Sequence, residues 1–264
     1  PGCHSGSAYN LGVGLMMANK DPWEKVQTLH VEFLNPVARF GQAVDVVSHD
    51  IALLPPAAVV GAPGEEAFYV SVSSDFFGYS WQDAERFAPD PNTDADVGAS
   101  VAIGRNEGWV LVGGPLDDQN GVNSGCVYFH NYFGIQPPEK VVPSDGTANE
   151  YFGTAVDIDT SLAIIGAPGD VVNGFSSGSV YVYERNGYVW TFSQKLTPDD
   201  PSNLQFFGAS LSLSVSQYGK FALIGAPGDP DNAEGHAYLF EQVSGDWIQV
   251  AKISASDGVP GDYF

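Results

Sequence analysis

The sequence predicts an all-β chain built from a repeated four-stranded unit, and three observations carry that prediction. The first is the stretch Tyr151–Tyr183, YFGTAVDIDTSLAIIGAPGDVVNGFSSGSVYVY, where three short apolar or alternating runs are separated by Gly-, Asp- and Pro-rich breaks. Alternation with β-branched and aromatic side chains marks a half-buried strand. The second is a period: Phe40, Val97, Phe152, Phe207 and Phe264 are equivalent, at intervals of 57, 55, 55 and 57 residues. Gly41, Gly98, Gly153 and Gly208 follow the first four. The third is a matching series of breaks at Gly61-Ala62-Pro63, Gly113-Gly114-Pro115, Gly166-Ala167-Pro168 and Gly225-Ala226-Pro227. Self-similarity at a fixed period outranks any local reading, and a four-stranded unit repeated radially is a β-propeller blade.

Each strand of the unit has its own reason. Strand one is the alternating run Thr154–Ile158, opened by Phe152-Gly153. The glycine removes a side chain where neighbouring backbones approach closely, and the phenylalanine wedges between blades. Strand two, Leu162–Ile165, ends at a proline that cannot continue a central strand. Strand three is Ser179–Tyr183. Strand four is marked by Trp23, Trp81, Trp190 and Trp247, lying 17, 16, 17 and 17 residues before the next unit, with Ile135 in that place in the remaining unit. Arg86, Lys140, Lys195 and Lys252 each follow a marker by five residues, so four of the ten basic residues recur at one position. There they protect an outer edge strand and pair with nearby carboxylates.

In chain order, 1–39 reads as half a blade, with Gly6-Ser7-Ala8-Tyr9 as strand three and Trp23–Val31 as strand four. Whole blades follow at 40–96, 97–151, 152–206 and 207–263, and residue 264 begins a further one. The first whole blade is the least regular, with a long loop around Ser48–Pro56 and an aromatic run at Phe76-Phe77-Gly78-Tyr79. The second departs at Val97 and Gly114. A half blade at one end and a stub at the other imply a ring completed by residues beyond 264 or by a neighbouring chain. The segment alone is then expected to be oligomeric or aggregation-prone.

FGTAVDID…AIIGAPGD…GSVYVY…W…KL resembles the FG-GAP repeat, familiar from the β-propeller of integrin α subunits and from many extracellular proteins. The resemblance implies a propeller over nearly the whole chain and an extracellular setting. It does not imply one function, because propellers of one architecture carry unrelated activities. Integrin α propellers hold calcium in a D-x-D/N-x-D-G loop between strands one and two. Here the corresponding loops, Gly104–Gly108, Asp159–Leu162 and Val215–Lys220, are too short or too poor in acids, so that site does not carry over.

The net charge of −22, from 32 acidic and 10 basic residues, argues against nucleic acid and anionic membranes as partners and for cations or basic proteins. No apolar run is long enough for a membrane helix. Acids gather in two loop sets, between strands four and one (Asp90–Asp96, Asp145, Asp199-Asp200, Asp257–Asp262) and between strands two and three (Asp117-Asp118, Asp170, Asp229–Asp231). Strands alternate in direction, so both sets are expected on one face. Asp90, Asn92, Asp94 and Asp96, at alternate positions, are the best candidate ligands for Ca²⁺, a hard cation that takes several oxygens. The loop lacks the glycine of the usual motif, and turn chemistry explains such residues equally well. Cys3 and Cys126 begin third strands two units apart, too distant for a disulfide, and each reads as a buried thiol or as bonded to another chain.

Nothing in the sequence supports catalysis. His4, His30, His49, His130 and His236 show no metal-ligand spacing, and no nucleophile–base pair or nucleotide loop stands out. Three readings follow. The leading one is a non-enzymatic extracellular adhesion or recognition module that binds a protein partner through its acidic loop face, directly or through Ca²⁺. The second is a building block of an extracellular filament, wall or surface appendage, in which partners are other copies or other chains of the assembly. The third is a carbohydrate-binding propeller, with a glycan as partner.

Overall fold

A computed structural model describes residues 13–17, 24–29, 39–47, 55–74, 81–90, 94–105, 108–134, 136–228, 234–259 and 262. Trp23, Phe76-Phe77, Asn92, Ile135, Cys3, Asp229–Asp231 and Phe264 lie outside these, as does Gly6–Tyr9. The regular elements among the described residues are strands, apart from one 3₁₀ turn at Pro63–Glu65. No described helix is long and apolar enough to cross a membrane.

A hairpin comes first, β1 (Val13–Met17) against β2 (Glu24–Leu29). The strand paired with Glu24–Leu29 is thus Val13–Met17. Four antiparallel four-stranded sheets follow. The first blade holds β3 (Val44–Val47), β4 (Ala57–Ala62), β5 (Ala67–Val72) and β6 (Glu85–Phe87). The second holds β7 (Ser100–Ile103), β8 (Trp109–Gly114), β9 (Cys126–Asn131) and β10 (Glu139–Val141). In the third, β11 (Val156–Asp159) and β12 (Leu162–Ala167) are joined to β15 (Ser179–Asn186) and β16 (Val189–Leu196) through a small hairpin, β13 (Val171–Val172) with β14 (Phe175–Ser176). The fourth holds β17 (Ser210–Ser216), β18 (Gly219–Ala226), β19 (His236–Val243) and β20 (Asp246–Ser254). Each sheet is a meander in strand order, and the first strands of successive blades pack side by side (β3 on β7, β7 on β11, β11 on β17). This is the propeller arrangement, and among the described residues the sheets do not close into a ring.

The repeated glycines explain how close the blades come. A Cβ on Gly61, Gly113 or Gly166 would lie 2.0 Å from the carbonyl oxygen of Gly98, Gly153 or Gly208 in the next blade. Those second glycines also have φ of 94 to 99°, a region in which side chains are strained. Backbone thus rests on backbone at each blade junction, and one methyl group on either side would force the blades apart.

The core lies between the sheets. Phe152 is fully buried in one cluster with Val127 and Phe129 of the second blade, and Phe207 in another with Ile164 and Val182 of the third. Their rings meet Tyr181 and Tyr238 edge-on at 5.1 and 5.4 Å, and Phe40 meets Tyr69 likewise at 5.2 Å. Val97 takes the same buried place in the second blade. The marker tryptophans Trp81, Trp190 and Trp247 are buried as well; Trp190 stacks on Phe129 of the preceding blade at 4.6 Å. Cys126 opens β9 as a buried free thiol, its pKa pushed up to about 12, chiefly by burial.

Candidate functional site

Third and fourth strands place one side-chain set at the same point in every blade. Across the β-ladder, Tyr69 faces Arg86, Tyr128 faces Lys140, Tyr181 faces Lys195 and Tyr238 faces Lys252. The cation reaches the acid that follows Gly-Ala-Pro in its own blade. Arg86 lies 3.4 Å from Glu65, Lys140 2.6 Å from Asp117, and Lys195 2.6 Å from Asp170. It also reaches back to the loop before strand one. Lys195 lies 2.7 Å from Asp145, Lys252 2.5 Å from Asp200, and Lys140 3.9 Å from Asp90. The tyrosine hydroxyl completes the set, donating to Asp145 from Tyr181 at 3.0 Å and to Asp200 from Tyr238 at 2.9 Å. Lys195 and Lys252 also lie over those tyrosine rings, 4.7 and 5.5 Å from the centroids.

One lysine touching acids from both loop sets places both sets on one face, as the alternation of strand direction requires. It also divides the acids into two groups. Asp117 and Asp170 are 3 % and 4 % exposed and bound to lysine, so they hold the blade together and are not available at the surface. Asp94, Asp118, Asp145, Asp199, Asp200, Asp257 and Asp262 are exposed and make up the acidic surface of the loop face. The pKa values of Asp145 and Asp200 are lowered: burial raises them, but the lysine beside each and the tyrosine hydroxyl outweigh it.

Of the four candidate Ca²⁺ ligands, Asp94 is exposed and Asn92 lies outside the described residues. Asp96 is paired with Arg39, and Asp90 faces Lys140 at 3.9 Å. No cluster of three or more His, Cys, Asp or Glu among the described residues is placed to hold a metal ion.

A second group of acids lies on the inner strands, at the end that carries the turns between strands one and two. Asp45 accepts the Ile103 N–H of the next blade at 2.9 Å, and Asp157 accepts that of Leu213 at 2.6 Å. Asp159 accepts from Val215 at 2.8 Å and from Arg105 at 2.7 Å. These carboxylates satisfy N–H groups on the edges of β7 and β17 that have no neighbouring strand. Burial raises the pKa of Asp45 and Asp157, and the backbone donors counteract it in part. Together with Arg105 they line a cavity of about 300 Å³. The alternation of VDVV and VDID placed Asp45 and Asp157 on strands, but nothing local shows that a carboxylate caps another blade. The loop beginning at Asp159 in the sequence reading is in fact the last residue of β11 followed by a tight turn.

The family model of the FG-GAP repeat matches residues 138–183 and 190–240. Each match begins at or near strand four of one blade and ends in strand three of the next, so the sequence repeat straddles the sheets. No curated protein matches the chain. With the Phe-Gly wedge, the Gly-Ala-Pro turn and the four-stranded meander in place in both segments, the chain carries two adjacent FG-GAP repeats.

Proposed function

We propose that this chain is a non-enzymatic extracellular recognition module whose acidic loop face binds a basic surface on a protein partner. FG-GAP repeats suit a propeller-type recognition or adhesion module, in a family that is generally non-enzymatic and typically extracellular. One observation carries the reading further: the strand-four lysines are taken up by the buried Asp117 and Asp170 and by Asp145 and Asp200, and among the described residues the exposed Asp94, Asp118, Asp199, Asp257 and Asp262 have no such lysine beside them. An acidic field fixed on one face of packed blades steers basic partners and sets their orientation. The direct form is favoured over the Ca²⁺-assisted form at Asp90, Asn92, Asp94 and Asp96, since Asp90 and Asp96 already face cations.

The test uses a lysine-rich peptide as the basic probe. Asp199→Lys, on the loop face, and Asp246→Lys, in the turn on the opposite face, change the charge equally. The first should weaken association about fivefold and flatten its salt dependence, and the second should do neither. Equal effects would reduce the acidic face to general net charge.

A second reading, a building block of an extracellular assembly, is favoured by the outer face of the fourth blade. In the third blade Ile164, Val180, Val182 and Leu196 are at most 1 % exposed, packed on the fourth. Their counterparts in the fourth are Leu223, Ala237, Leu239 and Ile253, and Leu223 and Ile253 are 41 % and 42 % exposed.

A further inference from the structure

The inner end of the blades holds more acid than its packing uses. Asp45 of the first blade and Asp157 and Asp159 of the third line the cavity of about 300 Å³, together with Arg105. Each carboxylate is fixed by backbone. Asp45 accepts the N–H groups of Val46 and Ile103, Asp157 those of Ile158 and Leu213, and Asp159 Oδ2 that of Val215. Such bonds orient an acid but supply no full positive charge. Arg105 is the one cation among the described lining residues, and it reaches Asp159 Oδ2 at 2.7 Å. Asp159 is 3 % exposed, and its other oxygen, Oδ1, is buried without a hydrogen-bond partner. A buried carboxylate oxygen with nothing to accept is costly, which favours a donor from outside the chain. Burial raises the Asp157 pKa most, and the charges of Asp45 and Asp159 add to it.

The remaining walls are aliphatic. Val46 of the first blade, Ile158 of the third and Leu213 of the fourth line the same cavity, and Val46 is 52 % exposed. These two kinds of wall select among cations. A hard metal ion takes several oxygens converging on one point, and no described acids converge in that way. An ammonium group on an alkyl stem is compact and carries three donors. It can donate to Asp159 Oδ1 and to the spare lone pairs of Asp157 while its methylenes rest against the aliphatic side chains.

We infer that this cavity binds a primary alkylammonium group, from a free amine or from a partner's lysine side chain, with Asp159 as its chief acceptor. The site lies at the opposite end of the strands from the acidic loops, and either can fail without the other.

The experiment is a chemical-shift titration of the whole chain, with the Leu213 and Val215 amides as reporters. It is run at about 0.15 M salt, where charges more than roughly 8 Å away are screened. Butylamine, acetyl-lysine amide, butanol and Ca²⁺ are added in separate arms. Both amines should shift the reporters, and butanol, of the same shape but uncharged, should not. Tighter binding of butylamine marks a free amine as the source, tighter binding of acetyl-lysine amide a partner's lysine, and both support the site. Asp159→Asn should weaken the amines about tenfold. Arg105→Gln removes a competing cation and should tighten them about threefold, a reading that stands even where Asp159→Asn does not fold. Asp199→Lys, on the acidic face, should leave the affinity unchanged. Amines that bind no better than butanol overturn the proposal, as does an affinity that Arg105→Gln leaves unchanged or lowers. Saturable binding of Ca²⁺ at these amides without binding of the amines also overturns it, in favour of a metal site.

Discussion

Glu150 stands two residues before the wedge of the third blade, and Gln205 stands in the same place in the fourth. One oxygen of each accepts a backbone N–H three residues earlier, from Thr147 at 2.7 Å and from Ser202 at 3.1 Å. The remaining atoms differ. Gln205 Nε2 donates to the Tyr238 hydroxyl at 2.5 Å, whereas Glu150 Oε2 is buried without a partner. Burial raises the pKa of Glu150, and the nearby Asp170 adds to it. Glu150→Gln should therefore stabilise the fold by about 1 kcal/mol at neutral pH, giving a donor toward Tyr181. The sign follows from linkage. A carboxyl whose folded pKa is raised favours the folded state once protonated and costs stability above that pKa. The advantage of glutamine should thus shrink as pH falls through the raised value, above 4.5. Urea melts of both proteins across pH measure it, and a gain that does not vary with pH would rule out the charge as its cause.

At the scale of the strand, the strand-four cation decides how firmly a blade's loops are held. Lys195 serves Asp170, whose side chain is 5 % exposed, as well as Asp145. Removing it strands a buried carboxylate, so Lys195→Ala should cost about 3 kcal/mol. Lys252 is paired with Asp200, 45 % exposed, so Lys252→Ala should cost only about 0.5 kcal/mol. Denaturant midpoints compare the two, and equal losses would show that burial of the acid does not set the difference. This contrast also shows what was legible in the sequence. Phe152-Gly153, the Gly-Ala-Pro turns and the strand-four lysines recur at fixed positions, so strands and blade junctions could be read directly. The acid one residue past Gly-Ala-Pro-x recurs too, and pairing it with the lysine series would have separated the buried Asp117 and Asp170 from the surface acids. The β13–β14 hairpin was not legible, because two-residue strands inside a Gly- and Asp-rich loop have no period. Nor were the roles of Asp45 and Asp157, since each depends on which blade lies opposite, and no residue near them in sequence carries that information.

At the scale of the molecule, the fourth blade presents what the third blade hides. Every junction between the four blades is built alike, with glycine against glycine at the inner end and apolar strand faces outside it. The nearest atoms to a Cβ on Gly225 belong to Ser210 of its own blade, whereas those nearest its counterparts Gly61, Gly113 and Gly166 belong to the next blade. Leu223, Ile248 and Ile253 leave that side apolar and between 41 % and 47 % exposed. Burying such a surface is favourable by roughly 25 cal/mol per Å² of apolar area, enough to drive self-association when nothing else covers it. The 264-residue chain in isolation should therefore scatter light as an oligomer. The double substitution Leu223→Lys with Ile253→Lys should shift it to the monomer without lowering its melting temperature by more than a few degrees, because both side chains already face outward. A parent chain that is a compact, stable monomer would remove the assembly reading. An oligomer that survives the double substitution would move the contact to another surface.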